Sequence, residues 1–278
     1  MRYPAIAITF LLFFTPLSAL AQSSLIEEVS RTYANSQPNL ESYRVDLKTD
    51  KIAEMIARMT ASMPPEMQRP AEPKLVKYWR RDTGSTVRAD GAVMPNMQQM
   101  INRFSQQFAF DIGRFFFPPD QSDQRAALIK QAEVKSADTQ IGNEIMNNIE
   151  LLFAKPATIS GAFYGIGLDL PQDGITRLEF ELDRKKKLLR QIVIETEGGP
   201  RLTVAIRHSE IGDEQFPVDI RVTSPDGKID DHFVTTLATI ASFQLPTRQV
   251  RNIRRPDVVE EMLVEFSNYK ITTKADAK

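Results

Sequence analysis

The stretch Thr176-Arg177-Leu178-Glu179-Phe180-Glu181-Leu182-Asp183 decides the fold class of this chain, because its side chains alternate between charged or polar and apolar. Successive side chains of a β-strand point to opposite faces of the sheet, so the leucines and the phenylalanine share one face. The same alternation returns in residues 202–206 and 216–222. One face of the predicted sheet is therefore exposed to solvent, and the other must be covered by further parts of the chain.

Alternating runs continue from Pro156 almost to the end of the chain. They cover residues 161–170, 176–183, 188–196, 201–207, 216–223, 233–240, 245–253 and 261–271. Turn signals such as Asp173-Gly174, Gly198-Gly199-Pro200 and Pro225-Asp226-Gly227 separate most of them. Short strands at this spacing predict an antiparallel meander.

Strand and helix patterns are mixed in the first half of the chain. Residues 43–47 alternate like a half-buried strand, and residues 75–80 and 85–89 predict a hairpin. A capping-box pattern at residues 24–27 predicts the start of an N-terminal helix. Apolar residues at helical spacing over 52–63 predict a second helix.

Between about residues 95 and 153 the apolar residues also recur at helical spacing, which predicts a helical insert. One stripe of the insert consists of Met97, Met100, Ile101, Phe104 and Phe108. Such a stripe is more often plain core than a ligand site, although Met and Phe also suit a surface that repacks around apolar ligands. With these helices as cover, the predicted fold is α+β, a curved antiparallel sheet (an unclosed β-barrel) wrapped around a helical lid.

Residues 1–21 carry the three parts of a secretory signal, which are a positive start, an apolar core and small residues at Ala19 and Ala21. We expect cleavage after Ala21, which leaves residues 22–278 as a single domain in the periplasm. The chain has no cysteine, and Gln22 follows the expected cleavage site. A lipid anchor attached to a cysteine at that position is therefore excluded.

Composition and histidine content argue against several classes of function. Lys and Arg number 35 against 36 Asp and Glu, which excludes the basic footprint of a nucleic-acid-binding protein. Asp230-Asp231-His232 could bind a metal only if a bulge brought neighbouring strand residues to one face. His208 beside Ser209 has no evident third partner for nucleophilic catalysis. We therefore expect no metal, no cofactor and no enzymatic activity.

The order of these elements resembles the outer-membrane lipoprotein-sorting family, the LolA/LolB-like group. The resemblance is carried by Pro73-Lys74-Leu75-Val76-Lys77-Tyr78-Trp79-Arg80, Ala89-Asp90-Gly91, Phe243-Gln244-Leu245-Pro246-Thr247-Arg248 and Val264-Glu265-Phe266-Ser267-Asn268-Tyr269-Lys270. It implies an unclosed β-barrel with a helical lid around an apolar cavity. It also implies non-enzymatic, periplasmic binding of a lipid or of the acyl chains of a lipoprotein, with envelope membrane proteins as further partners.

On this resemblance, the residues expected to line the cavity and its lid are Leu75, Trp79, Met97, Met100, Ile101, Phe104, Phe108 and Phe163. Gly161, Gly165 and Gly167 share the predicted strand face of Phe163, where they could leave room for a ligand chain or permit strong sheet curvature. The alternative function is a periplasmic protein-interaction or sensor module whose cavity is filled by its own helices.

Overall fold

Twelve antiparallel strands form one sheet in the computed structural model, which describes residues 17–61, 72–90, 113–163 and 170–276. The strands are β1 Leu40–Thr49, β2 Lys74–Arg80, β3 Gly84–Asp90, β4 Ala132–Ile141, β5 Glu144–Ala157, β6 Ile175–Asp183, β7 Leu188–Thr196, β8 Leu202–Ile211, β9 Glu214–Thr223, β10 Asp230–Ile240, β11 Phe243–Arg255 and β12 Val258–Thr273. Their order across the sheet is β3-β2-β1-β12-β11-β10-β9-β8-β7-β6-β5-β4. Within these described ranges β3 and β4 each pair with one neighbour, so the sheet is not closed.

Short helices accompany the sheet. They are α1 Leu17–Ala34, α2 Asp50–Thr60, a single 3-10 turn at Pro119–Gln121 and α3 Ser122–Ile129. α1 packs against α3, β4 and β7, whereas α2 packs against β12. The predicted fold class is confirmed, since helices accompany an unclosed antiparallel sheet.

The predicted alternation of β6 is confirmed by burial. Leu178, Phe180 and Leu182 have no solvent exposure, whereas Arg177 and Glu179 on the other face are partly exposed. We call the face that carries Leu178, Phe180 and Leu182 the inner face, and the opposite one the outer face. The lower end of the sheet is where β6 and β8 begin, and the upper end is where β1 begins.

Residues 132–157 correct the predicted helical insert, because they form the hairpin of β4 and β5. Gly142-Asn143 makes the turn, and Gly142 has a φ of 60°, which suits glycine. Ile145 and Ile149 are four residues apart, as in a helix, but pairing of β5 with β6 sets a period of two. Ile149 and Leu151 are accordingly the fully buried pair. In the described remainder of the insert, α3 and the 3-10 turn are the helical parts.

The structure corrects two further expectations, which concern the helix start at Ser24 and the strand at Gly161. α1 begins at Leu17, so Ser24 lies inside this helix rather than at its N-cap. Gly161 occupies a turn with a φ of 84° instead of a strand, and Phe163 makes one isolated bridge with Ser160. Residues 164–169 lie outside the described residues.

Candidate functional site: an apolar pocket at the lower end of the inner face

The inner face carries two apolar clusters with a polar seam between them. The first cluster spans β5 to β10, and the second spans β1, β2, β11 and β12. Arg251 pairs with Phe233 of the first cluster on one side and with Met262 of the second on the other. Thr235 and Gln249 continue the seam, and all three polar side chains are buried. Gln249 Nε2 donates to Thr235 Oγ1 at 3.2 Å.

The centre of the first cluster is filled by the chain's own aromatic rings. Phe115, Phe116 and Phe117, which we call the aromatic plug, are at most 5% exposed. The ring of Phe116 stacks on Phe163 at 5.4 Å, and the ring of Phe117 meets Phe180 edge-on at 5.5 Å. Such ring pairs stabilise a core beyond the area that they bury. The central inner face is therefore packed rather than empty.

An ion pair between a buried arginine and a partly exposed glutamate contacts the plug. Arg125 of α3 donates from Nε and Nη2 to the two carboxylate oxygens of Glu27 in α1, both at 2.9 Å. Its Nη1 donates to the carbonyl of Pro118 at 2.6 Å, and its guanidinium lies 6.0 Å from the centre of the Phe117 ring. Arg125 is fully buried. One side chain thus joins α1, α3 and the plug with the bidentate geometry that makes arginine–carboxylate pairs strong.

An apolar pocket of about 300 Å³ opens at the lower end of the inner face. It is lined by Leu170, Pro171, Pro200, Leu202, Val222, Ile229 and Arg255. Leu202 and Val222 belong to the first cluster, so the pocket gives solvent a path to the edge of that core. Its volume is at the lower limit for small-molecule sites, which run from roughly 300 to 1,000 Å³.

A charged pair borders this pocket. Arg255 lines the wall, and its Nη2 donates to Asp231 at 2.6 Å. Asp231 is buried, whereas the Arg255 side chain is 25% exposed. Asp231 already accepts from this guanidinium, so the border of the pocket is polar but carries a paired charge.

A larger pocket of about 740 Å³ lies at the upper end, where β11 and β12 part. β12 pairs with β11 only from Arg248 onward, so residues 243–247 have no partner strand on that side. The walls combine Phe216 and Phe243 with the carboxylates of Asp213 and Glu214. Burial of two carboxylates against hydrocarbon would be costly, so this larger pocket suits an apolar chain less well than the lower one does.

Gln37 lies at the gap between β11 and β12, where it lines the upper pocket. Its side-chain amide accepts from the Gln244 backbone N–H at 2.5 Å and donates to the Gln244 carbonyl at 3.1 Å. Its own backbone N–H donates to the Glu214 carboxylate at 3.1 Å. Gln37 has a φ of 49°, an uncommon value for a residue with a side chain. These contacts hold Gln37 in this conformation. They also satisfy the backbone N–H and carbonyl of Gln244, with which an added strand would pair.

The candidate catalytic and metal residues are engaged separately. Asp230 pairs with Arg221 at 2.7 Å, Asp231 with Arg255, and His232 with Asp219 at 2.9 Å. The three neighbours therefore do not converge on one point. In the described part of the chain, no group of three His, Cys, Asp or Glu side chains is placed to hold a metal ion.

The structure separates the predicted ligand-binding residues. Leu75 and Trp79 belong to the second cluster, where the Trp79 ring stacks on Tyr43 at 5.2 Å. Phe163 belongs to the first cluster and packs on the plug, so the seam divides it from Trp79. Met97, Met100, Ile101, Phe104 and Phe108 lie outside the described residues, and their role stays a prediction.

Arg125 and the pair of Arg255 with Asp231 were missed from the sequence. Arg125 stands three and four residues before the buried Leu128 and Ile129, on the face of α3 that packs inward. A charged residue on an apolar helix face was a usable signal for a buried ion pair. Arg255 follows another arginine at a hairpin turn, where no local pattern marks it as pocket-lining.

Comparison with known proteins shows similarity to solved structures only. No family model matches the chain, and no curated protein sequence matches it. A LolA-superfamily protein from Nitrosomonas europaea is 11% identical, with 90% of this chain and 92% of that one covered and a TM-score of 0.33. A lipoprotein-sorting protein domain from Vibrio parahaemolyticus is 10% identical, with 90% and 92% covered and a TM-score of 0.34. A DUF1329 family protein from Desulfovibrio piger is 9% identical, with 91% and 92% covered and a TM-score of 0.34.

The helices of the described residues are each too short or too polar to span a bilayer.

Proposed function

We propose that this chain is a non-enzymatic periplasmic protein that binds the hydrocarbon part of a lipid or of an acylated protein in the lower pocket. The observation that supports the proposal is a pocket walled by leucine, isoleucine, valine and proline that reaches the edge of the first cluster, with Arg255 at its border. The secretory pattern of residues 1–21 supports the location.

The energetics of such binding follow from the walls. Each methylene moved from water into the pocket contributes about 0.8 kcal/mol, so even a short acyl segment gains several kcal/mol before the cost of association. The pocket is small, so a long chain would have to displace protein side chains, and the Arg125–Glu27 pair resists displacement of the plug.

The packed centre of the inner face supports a second candidate. A protein-interaction or sensor module needs no internal ligand, and the buried plug and its ion pair would serve as permanent core. The two functions differ in what the purified protein carries. Native mass spectrometry of protein from its own periplasm should show a retained acyl lipid for the binding protein and a clean protein mass for the module.

Filling the pocket tests the proposal directly. Ile229 lies half-buried at the pocket wall, so Ile229→Trp adds an apolar ring where the ligand would sit. We expect calorimetric titration with a fatty acid or diacyl lipopeptide to show binding by the natural protein and at least tenfold weaker binding by this variant.

Ile240→Trp is the matched control, because Ile240 is half-buried against the second cluster near the upper end. The control should bind as the natural protein does. Absence of binding by the natural protein, or an equal loss in both variants, would reject the lower pocket as the ligand site.

A further inference from the structure

The outer face of β1 to β3 presents a tyrosine between two arginines. Tyr78 is 37% exposed, which makes it one of few large apolar side chains at the surface of the described residues. The guanidinium carbon of Arg44 lies 6.0 Å from the centre of its ring, and that of Arg88 lies 5.8 Å from it. Both distances are within the range of cation–π interactions, so the three side chains hold one another upright on the sheet.

Strand register places further cations on the same face. Arg44 stands directly opposite Tyr78 on β2 and Lys270 on β12, and directly opposed side chains share a face. The outward cations of this region are Arg44, Lys48, Lys74, Arg80, Arg88 and Lys270, against the outward carboxylates Asp46, Asp90 and Glu265. The whole chain has a net charge of −1, so this face is a local concentration of positive charge. Asp82 in the β2–β3 turn offsets one of these cations by pairing with Arg80.

Three of these cations, Lys48, Arg88 and Lys270, make no ion pair with a described carboxylate, and Lys48 stands directly opposite Glu265 on β12. Arg44 and Lys74 both pair with Asp46, at 3.2 and 2.8 Å, and Arg80 pairs with Asp82. Arg88 and Lys270 are exposed. The positive field of the face therefore depends mainly on Arg88 and Lys270.

We propose that this arginine–tyrosine face, formed by Arg44, Lys74, Tyr78, Arg88 and Lys270, docks on an anionic membrane surface. Lys74, Tyr78, Arg88 and Lys270 are exposed, so the face is open to solvent. An array of cations on one outward sheet face matches a surface of anionic head groups, which attracts each lysine or arginine near it. Tyrosine suits the same boundary because its ring is apolar and its hydroxyl is polar.

Charge reversal at Arg88 and Lys270 tests the docking. The probe is co-sedimentation with vesicles of phosphatidylglycerol and phosphatidylcholine, compared with vesicles of phosphatidylcholine alone. We expect the natural protein to prefer the anionic vesicles, with binding that weakens as salt is raised. Arg88→Glu with Lys270→Glu should lower the partition coefficient at least tenfold.

The control carries the same change of charge elsewhere. Arg207 on β8 and Lys185 in the β6–β7 turn are exposed and make no ion pair with a described carboxylate. Arg207→Glu with Lys185→Glu should leave the partition coefficient within about twofold, because repulsion from the vesicle falls off within a Debye length. If the reversed variant melts several degrees lower, Arg88→Gln with Lys270→Gln replaces it, with an expected loss of at least threefold.

Three results would overturn the proposal. The first is equal binding of the natural protein to anionic and neutral vesicles. The second is an equal loss of vesicle binding in the control variant. The third is that a polyglutamate peptide binds through Arg88 and Lys270 whereas vesicles do not. The last result would assign the face to an acidic protein partner. Failure of the docking proposal can be distinguished from failure of the proposed lipid pocket. The Ile229→Trp variant changes the pocket and leaves the outer face unchanged.

Discussion

The hydroxyl oxygen of Tyr33 in α1 lies 2.9 Å from Nε2 of His208 in β8, within hydrogen-bond distance. The same oxygen accepts the backbone N–H of Leu189 at 3.0 Å. Burial lowers the pKa of His208 to about 3, with the charge of Arg190 adding to the effect. His208 is thus a packing partner of α1 rather than a loop residue.

The first prediction concerns acid stability. The folded pKa of His208 lies below its ordinary value of 6.5, so the unfolded chain binds more protons between about pH 6.5 and pH 3. The free energy of unfolding should therefore fall as the pH drops through that window, by up to about 1.4 kcal/mol per pH unit. His208→Gln should flatten this slope in urea titrations at pH 4.5, 5.5 and 7. His232→Gln is the control, and an identical slope in all three proteins would contradict the prediction.

The second prediction concerns the ion pair of Arg125 with Glu27. Glu27→Ala leaves a fully buried guanidinium without its carboxylate, which typically costs about 3–5 kcal/mol. Glu27→Gln keeps an acceptor and should cost less. Arg125→Met removes the charge that needs pairing, so the double variant Arg125→Met with Glu27→Ala should be more stable than Glu27→Ala alone. Chemical denaturation measures all three, and a double variant less stable than Glu27→Ala would contradict this account.

The third prediction concerns the aromatic plug. Phe117 has no solvent exposure, so Phe117→Ala should cost about 3–5 kcal/mol, whereas Ile141→Ala at an exposed hairpin tip should cost almost nothing. If the plug is permanent core, lipid affinity should not rise in the Phe117 variant. A small loss of stability together with tighter lipid binding would instead identify the plug as a mobile lid. Melting temperature and calorimetric affinity on the same protein separate the two cases.

The fourth prediction concerns Trp79 as a reporter. Trp79 is fully buried in the second cluster, and the guanidinium of Arg81 lies 5.7 Å from its ring. The lower pocket borders the first cluster, on the far side of the seam. Tryptophan emission should therefore stay unchanged when fatty acid saturates the protein, with saturation established by calorimetry. A shifted emission maximum would show that the ligand reaches the second cluster, as the sequence resemblance led us to expect.

The local sequence pattern was sufficient to predict most strands of the sheet. The meander from β6 to β12 could be predicted because alternation of apolar and polar side chains is a property of each strand by itself. The β4–β5 hairpin could not, because Ile145 and Ile149 fit a helix and a strand equally well, and pairing with β6 decided between them. A four-residue spacing carries no information about which neighbour a segment will find.

The candidate site shows the same division more sharply. The sequence by itself determined which face of each strand is apolar and that this face needs cover. Only the tertiary structure decided that α1 and the plug supply the cover, that a seam through Gln249 splits the apolar face, and that a pocket remains at the lower end. Arg125 and Glu27 are 98 positions apart in the chain, and Tyr33 and His208 are 175 apart. Such contacts form because burial forces each polar group to find a partner in the folded chain, and that choice depends on packing that no local pattern records.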